Sequence, residues 1–207
     1  MESKLGFLRG IIFDLDGVLI DSFFAWYKLL NYALKSFNKN TLSKKEFEKF
    51  WGQGMEKDIE ILLPEITLND LQKFYENNFI KFSNYIKIFP ETKFVLKKIK
   101  EKNILISIAS NSAPRIVDYS IRATKIDGFI DYYVGASDSI KGKPEPDILL
   151  KILEHLKLKN EEVIFVGDSQ FDIEAGKKAK IKTIGIGIKG DFQISKLSEL
   201  LKLLSLE

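Results

Sequence analysis

Short, almost purely apolar runs recur along this chain, and each is followed by a stretch with helical spacing. Ile104-Leu105-Ile106-Ser107-Ile108-Ala109, Val163-Ile164-Phe165-Val166 and Lys182-Thr183-Ile184-Gly185-Ile186 are of this kind, and so is Gly10-Ile11-Ile12-Phe13 near the start. A strand wetted on one face alternates apolar and polar residues. A strand that is apolar throughout is covered on both faces, the condition of a parallel sheet with crossover helices. Helices are predicted over about residues 91–102, 114–123, 146–157, 171–180 and 194–204, with a further short strand at Tyr132-Tyr133-Val134. The expected fold class is α/β, a doubly wound parallel sheet.

One long segment departs from this alternation. Between residues 23 and 85 the apolar positions follow helical spacing alone: Phe24, Tyr27, Leu30 and Leu34, then Phe47, Phe50 and Trp51, then Ile59, Leu62 and Leu63, then Leu71, Phe74, Phe79 and Phe82. Ser43, with Glu46 three residues on, predicts a helix start. Pro64 and Asn69-Asp70 predict breaks. The expected organisation is a discontinuous core, residues 1–20 and 86–207, interrupted by an all-helical insert at 21–85.

Composition narrows the chemistry. Of 207 residues, 45% are hydrophobic, enough for a sizeable core, and the net charge of +3 makes no case for nucleic acid or a membrane surface. No apolar run approaches the roughly 20 residues of a membrane span. The N-terminal residues lack the uninterrupted apolar region of a signal peptide, so a cytoplasmic protein is expected. There is no cysteine, which excludes thiol nucleophiles, disulfides and Cys-ligated metals. His155, the single histidine, falls in an amphipathic helical pattern and is expected at the surface, which removes Ser-His-Asp catalysis and multi-histidine zinc sites. Catalysis here must rest on carboxylates, lysine, hydroxyls, backbone amides and a hard metal ion.

In open parallel sheets, ligands bind beyond the carboxyl ends of the strands. Asp14 and Asp16 follow the first strand, one residue apart and hence on the same side of the backbone, and Gly17 permits a sharp turn after them. Ser110-Asn111-Ser112 follows the strand at 104–109. Gly167-Asp168-Ser169, and then Asp172, follow Val166. Lys143 stands in the rigid turn Gly142-Lys143-Pro144-Glu145-Pro146. Four acids, a hydroxyl and a lysine would thus converge on one sheet edge. Two like charges at 4 Å repel by about 4 kcal/mol at an effective dielectric of 20. Such a group of acids needs counter-charge, which Lys143 and a hard divalent cation such as Mg²⁺ would supply, leaving a space suited to phosphate.

Asp14-Leu15-Asp16-Gly17-Val18-Leu19-Ile20-Asp21-Ser22, Ser110-Asn111, Gly142-Lys143-Pro144-Glu145-Pro146-Asp147 and Gly167-Asp168-Ser169-Gln170-Phe171-Asp172 resemble, in order and position, the four motifs of the haloacid dehalogenase-like hydrolases. The helical insert resembles that family's type-1 cap. The resemblance implies a Rossmann-like core and a nucleophile at Asp14 whose carboxylate also touches Mg²⁺. It implies a general acid/base at Asp16 with its main-chain carbonyl on the metal, metal ligation by Asp168 and support of the metal by Asp172. Ser110 and the Asn111 amide would hold phosphate oxygens, and Lys143 would bind phosphate and orient Asp14. The acid at Asp16 is what the dehalogenase, phosphonatase and P-type ATPase branches lack, so a phosphatase or a phosphomutase acting on a small phosphorylated metabolite is implied. Gly52-Gln53-Gly54 resembles the substrate-specificity loop of phosphoglycolate phosphatases, and Met55 stands where the sugar-phosphate mutases tend to carry arginine. Ser112 replaces a lysine common in the phosphoglycolate phosphatases, and Lys180 replaces a usual glycine.

Two rival patterns carry less. Gly185-Ile186-Gly187-Ile188-Lys189-Gly190 fits the G-x-G-x-x-G dinucleotide pattern, but only 17 residues follow it, too few for a further βαβ unit. A phospho-accepting signalling domain would share the acids and lysine but needs neither Asp16 nor a 60-residue helical insert, and the intact acid set speaks against a non-catalytic binding protein on this fold.

Overall fold

The computed structural model describes residues 8–206 apart from Gln53 and Asp138. The expectations for the first residues of the chain and for Gln53 lie outside the described residues.

Strand β1 (Gly10–Phe13) is buried along its whole length and forms the centre of a six-stranded sheet. It pairs in parallel with β4 (Leu105–Ser110) on one side and β6 (Val163–Gly167) on the other. Beyond β4 lies β5 (Tyr132–Gly135). Beyond β6 lie β7 (Lys182–Ile186) and β8 (Phe192–Ile194), giving the order β5-β4-β1-β6-β7-β8 with every pairing parallel. Alternate side chains of β1 serve two cores. Ile11 and Phe13 pack with α5 (Thr92–Glu101), α6 (Pro114–Ala123) and α9 (Glu199–Leu203). Ile12 packs with α7 (Asp147–Leu156) and α8 (Gln170–Ala179) on the opposite face. This two-sided burial is why the strand carries no polar residue. The fold is the doubly wound α/β core expected, and its strand order reverses between β1 and β6, the place where such sheets open a crevice.

Helices α1 (Phe23–Ser36), α2 (Lys44–Phe47), α3 (Met55–Leu62) and α4 (Leu68–Asn78), with the 3₁₀ segment Phe79–Tyr85, form an all-helical insert, the segment that resembles a cap. Leu29, Leu30, Leu34, Phe47, Leu71, Tyr75 and Phe79 bury one another and rest on Ala113 and Ile116 at the start of α6. The chain leaves and re-enters the core through a small antiparallel ribbon, β2 (Ile20–Asp21) against β3 (Lys87–Ile88). Just beyond it the Thr92 hydroxyl, fully buried, donates to the Leu19 carbonyl at 2.8 Å. No helix among the described residues is long and apolar enough to cross a membrane.

Two local expectations need correction. The predicted helix at 194–204 is shorter: Phe192-Gln193-Ile194 pairs with Ile184-Gly185-Ile186 as a sixth strand, and the helix begins only at Glu199, after the Ser195 amide has bonded the Glu199 carboxylate at 2.9 Å. Asn69-Asp70 is not a break but the first turn of α4. Thr67 caps that helix, its hydroxyl accepting from the Asp70 amide at 3.2 Å, so the polar cluster marks a start. The β2/β3 ribbon was not expected, because two-residue strands leave no periodicity to read. The Ser43 capping box does form, with the Ser43 amide donating to Glu46 at 2.7 Å.

Thr92→Val keeps the side-chain shape and leaves the Leu19 carbonyl without its donor. Urea unfolding is expected to show a loss of about 1–2 kcal/mol; an unchanged midpoint would show that the hydroxyl does not fasten the ribbon to α5.

Candidate active site

The carboxyl ends of β1, β4 and β6 bring the expected polar residues to one place. Asp14 follows β1, and its amide donates to the Val166 carbonyl at 2.8 Å, which keeps the first residue of the turn in register with β6. Gly17 then takes φ +89°, and a Cβ there would stand 2.1 Å from Asp168 Oδ2, so only glycine lets the Asp168 carboxylate lie against this turn. Asp172 sits in the first turn of α8. Its Oδ2 accepts from the Ser169 amide at 2.9 Å and from the Ser169 hydroxyl at 2.5 Å, and the remaining oxygen turns inward. One carboxylate oxygen from each of Asp14, Asp168 and Asp172 lies within 4.8 Å of the others.

Lys143 enters this group from the loop before α7. Its ammonium is 2.7 Å from Asp14 Oδ1, 2.7 Å from Asp172 Oδ1 and 3.1 Å from the Ala109 carbonyl. The side chain is 3% exposed, so these three acceptors replace its water. Asn111 fixes the lysine's backbone from both sides: the Lys143 amide donates to Asn111 Oδ1 at 2.6 Å, and Asn111 Nδ2 donates to the Lys143 carbonyl at 3.0 Å. The Asn111 side chain is thereby engaged in holding Lys143, which leaves its main-chain amide for the phosphate-binding role implied for it.

Burial and mutual repulsion set the charges. Burial pushes the Asp14 carboxyl well above its usual range; Lys143 opposes this, while Asp172, Asp168 and Asp16 add to it. Asp168 is pushed up to about 7, by burial first and Asp172 second, against Lys143. Burial works against the Lys143 ammonium, but Asp14 and Asp172 outweigh it and hold lysine above its ordinary range. One ammonium therefore does not neutralise the group. The all-oxygen donor set, the short spacing and the raised carboxyls of Asp14 and Asp168 fit a hard divalent cation, and Mg²⁺ favours such ligands.

Asp16 is placed apart. Its carboxylate lies outside the three-acid group and is held by hydroxyls: Ser22 donates to Oδ1, Ser112 to Oδ2 at 3.1 Å, and Ser110 approaches Oδ2 at 3.5 Å, with Trp26 a further side-chain donor. Burial raises its pKa and these hydrogen bonds restrain the rise. As a metal ligand Asp16 thus has only its main-chain carbonyl to offer, the atom implied by the resemblance. Ser110 also accepts from the Ser112 amide at 3.1 Å, closing a tight turn after β4. Ser112, which looked in the sequence like a mere departure from a family lysine, is one of the donors that position Asp16, as is Ser22. The short spacing of Ser22 from Asp16 was a readable signal; the approach of Ser112 from another strand was not.

A cavity of about 130 Å³ opens over these groups, walled on the far side by the cap. Gly52 and Gly54 line it with φ +80° and +82°, and Gly54 comes close enough that a Cβ would lie 3.8 Å from Asn111 Nδ2. Trp26, Phe47, Trp51, Met55 and Tyr75 make the rest of that wall largely apolar, with one exception, Asp58. Asp58 accepts from the Tyr75 hydroxyl at 2.9 Å, and burial pushes its pKa up to about 7. It was missed in the sequence, although it lies on the helix face marked by Met55, Ile59 and Leu62, where an acid is out of pattern. His155 stands exposed on α7, stacked on Tyr132 with ring centroids 3.7 Å apart, far from this chemistry in role. The G-x-G-x-x-G pattern falls on the turn between β7 and β8 and opens no helix, so it forms no dinucleotide site.

Comparison with known proteins agrees with this geometry. A family model described as haloacid dehalogenase-like hydrolase matches residues 11–186. The chain is 30% identical over 207 residues to a phosphoglycolate phosphatase of Aquifex aeolicus, covering 95% of this chain and 97% of that one. It is 28% identical to the pyrophosphatase PpaX of Anoxybacillus flavithermus over 208 residues, again covering 95% and 97%. Among solved structures, CbbY from Rhodobacter sphaeroides in complex with phosphate has the same fold, with a TM-score of 0.84 at 18% identity over 96% of this chain and 99% of that one. With that family model matched over residues 11–186, the chain belongs to the haloacid dehalogenase-like hydrolase family.

Proposed function

We propose that this hydrolase is a magnesium-dependent phosphomonoesterase of the cytoplasm, acting on a small phosphorylated metabolite through an aspartyl-phosphate on Asp14. The observation that carries the reading is the separation of two acids only two residues apart. Asp14 is bound to Lys143 inside the acid group, whereas Asp16 is held outside it by serine hydroxyls with a raised pKa. One is fixed as a nucleophile and the other is kept free to carry a proton.

Asp14 Oδ1 accepts from both Lys143 and the Leu15 amide, at 2.7 Å each, which fixes the carboxylate plane. Among the described residues Oδ2 has no donor, and it is the oxygen that attacks phosphorus. As the Asp14–phosphorus bond forms, the ester bond breaks and its electron pair passes to the leaving oxygen, which takes the proton of Asp16. Asp16, now ionised, takes a proton from water as that water attacks phosphorus; the bond to Asp14 breaks and orthophosphate leaves. Lys143, the Ser110 hydroxyl and the Asn111 amide hold the phosphoryl oxygens. Asp14, Asp168 and Asp172, with the Asp16 carbonyl, would hold Mg²⁺, which offsets the charge that the acids and phosphate would otherwise accumulate. The helical insert, taken as residues 21–85, serves as the lid that excludes water during the first step.

Asp14→Asn is expected to lower p-nitrophenyl phosphate turnover in the presence of magnesium by about a thousandfold or more, with an unchanged circular dichroism spectrum. Near wild-type turnover in that variant would remove the nucleophile. Asp16→Ala is expected to lower kcat by roughly 100- to 10,000-fold and to let the phospho-enzyme accumulate in acid-quenched samples. Unaltered kinetics would take the proton-transfer role from Asp16.

A further inference from the structure

Asp58 is the one carboxyl group that the cap contributes to the cavity wall among the described residues. It stands among Trp26, Trp51, Met55 and Tyr75, opposite the acids and Lys143 of the core. The Tyr75 hydroxyl occupies Oδ2, and among the described residues no donor reaches Oδ1. An acid in an apolar wall, with half of its hydrogen-bonding capacity unused, is complementary to a donor on whatever fills the cavity. Aromatic faces around a carboxylate add attraction for a cation and none for an anion. Among the described residues that line the cap side of the cavity none is a lysine or arginine, and Lys57, the neighbour of Asp58 on α3, is turned out to Glu60 at 2.8 Å.

We infer that Asp58 reads the organic part of the substrate, selecting a phosphomonoester that carries an ammonium or hydroxyl donor at the end remote from phosphorus and rejecting one that carries a carboxylate there. The inference rests on the phosphatase reading above and adds the substrate class. It sets 2-phosphoglycolate, whose remote group is an anion, among the disfavoured ligands of this chain. The titratable groups acting on Asp58 are Tyr75 on α4 and Glu56 on its own helix; Asp14, Asp16, Lys143 and Asp168 line the core side of the same cavity. With its pKa at about 7, Asp58 becomes more fully charged as the pH rises from 6 to 8. A bound ammonium should gain from that change, and a bound hydroxyl should be nearly indifferent to it.

Three non-hydrolysable phosphonates of matched length test this by calorimetric titration with magnesium present: 3-aminopropylphosphonate, 3-hydroxypropylphosphonate and 3-phosphonopropionate. The wild-type protein is expected to bind the amino or the hydroxyl compound at least tenfold tighter than the carboxylate. Asp58→Asn is expected to narrow that ratio at least fivefold. A growing advantage of the amino over the hydroxyl compound between pH 6 and pH 8 identifies an ammonium; a flat one identifies a hydroxyl. Equal or tighter binding of the carboxylate by the wild-type protein overturns the inference, as does a ratio that Asp58→Asn leaves unchanged, which would reduce Asp58 to a tie between α3 and α4. Failure to bind any of the three while p-nitrophenyl phosphate is still hydrolysed also overturns it, whereas loss of both binding and hydrolysis overturns the phosphatase reading itself.

Discussion

Lys143 is held by carboxylates from two separate parts of the chain, and the arrangement of the site depends on that contact. Its ammonium joins Asp14, at the end of the central strand, to Asp172, at the start of the helix after β6. The three residues are far apart in sequence: one follows a strand, one stands in a loop and one lies in the first turn of a helix. Removing the lysine would leave two carboxylates buried without a counter-ion, a change that typically costs about 3–5 kcal/mol. The interaction is protected in turn by the double clamp of Asn111 on the lysine's backbone and by the capping of Asp172 by Ser169. Both oxygens of Asp172 are thus engaged, Oδ2 by Ser169 and Oδ1 by Lys143, whereas Asp14 commits only Oδ1, to Lys143 and the Leu15 amide.

The sheet makes this convergence possible at small cost. β1 and β6 run side by side through two hydrophobic cores, so their ends are fixed by Ile11, Ile12, Phe13 and Phe165 rather than by the polar residues themselves. The charged groups sit where the strand order reverses. The cap closes the open side with a different kind of surface, aromatic and apolar, and its contact with the core runs through Ala113 and Ile116 at the foot of α6. On the proposed reading, one half of the cavity would receive the phosphate and its charge, and the other half what the phosphate is attached to.

Much of the first half was legible in the sequence. Asp14, Asp16, Lys143, Asp168 and Asp172 each follow an apolar strand or a Gly/Pro turn, and an acid in such a position stands out against the local pattern. What could not be read was which atom faces which. Asp14 and Asp16 share one side of an ideal strand, yet the turn at Gly17 sends them to different partners, because the strand ends at Phe13 and its alternation ends with it. The role of Ser112 depends on the approach of β4 to β1, a non-local pairing. Lys180 takes φ +57°, the left-handed conformation of a helix end, which accounts for glycine being usual there, and tertiary packing of Ala179 and Ile181 holds the lysine in it. Asp58 was visible only as an interruption of an apolar helix face, and its value depends on a cavity that no single segment encloses.

The central claim is that the carboxylates of Asp14, Asp168 and Asp172 form, with Lys143, a site one divalent positive charge short of balance. A crystal structure of the protein grown with magnesium tests it most directly. The account predicts an ion touching all three carboxylates at about 2.0–2.1 Å, with Lys143 still bound to Asp14 and Asp172. Density for an ion elsewhere, or acids splayed apart with only water between them, would contradict it.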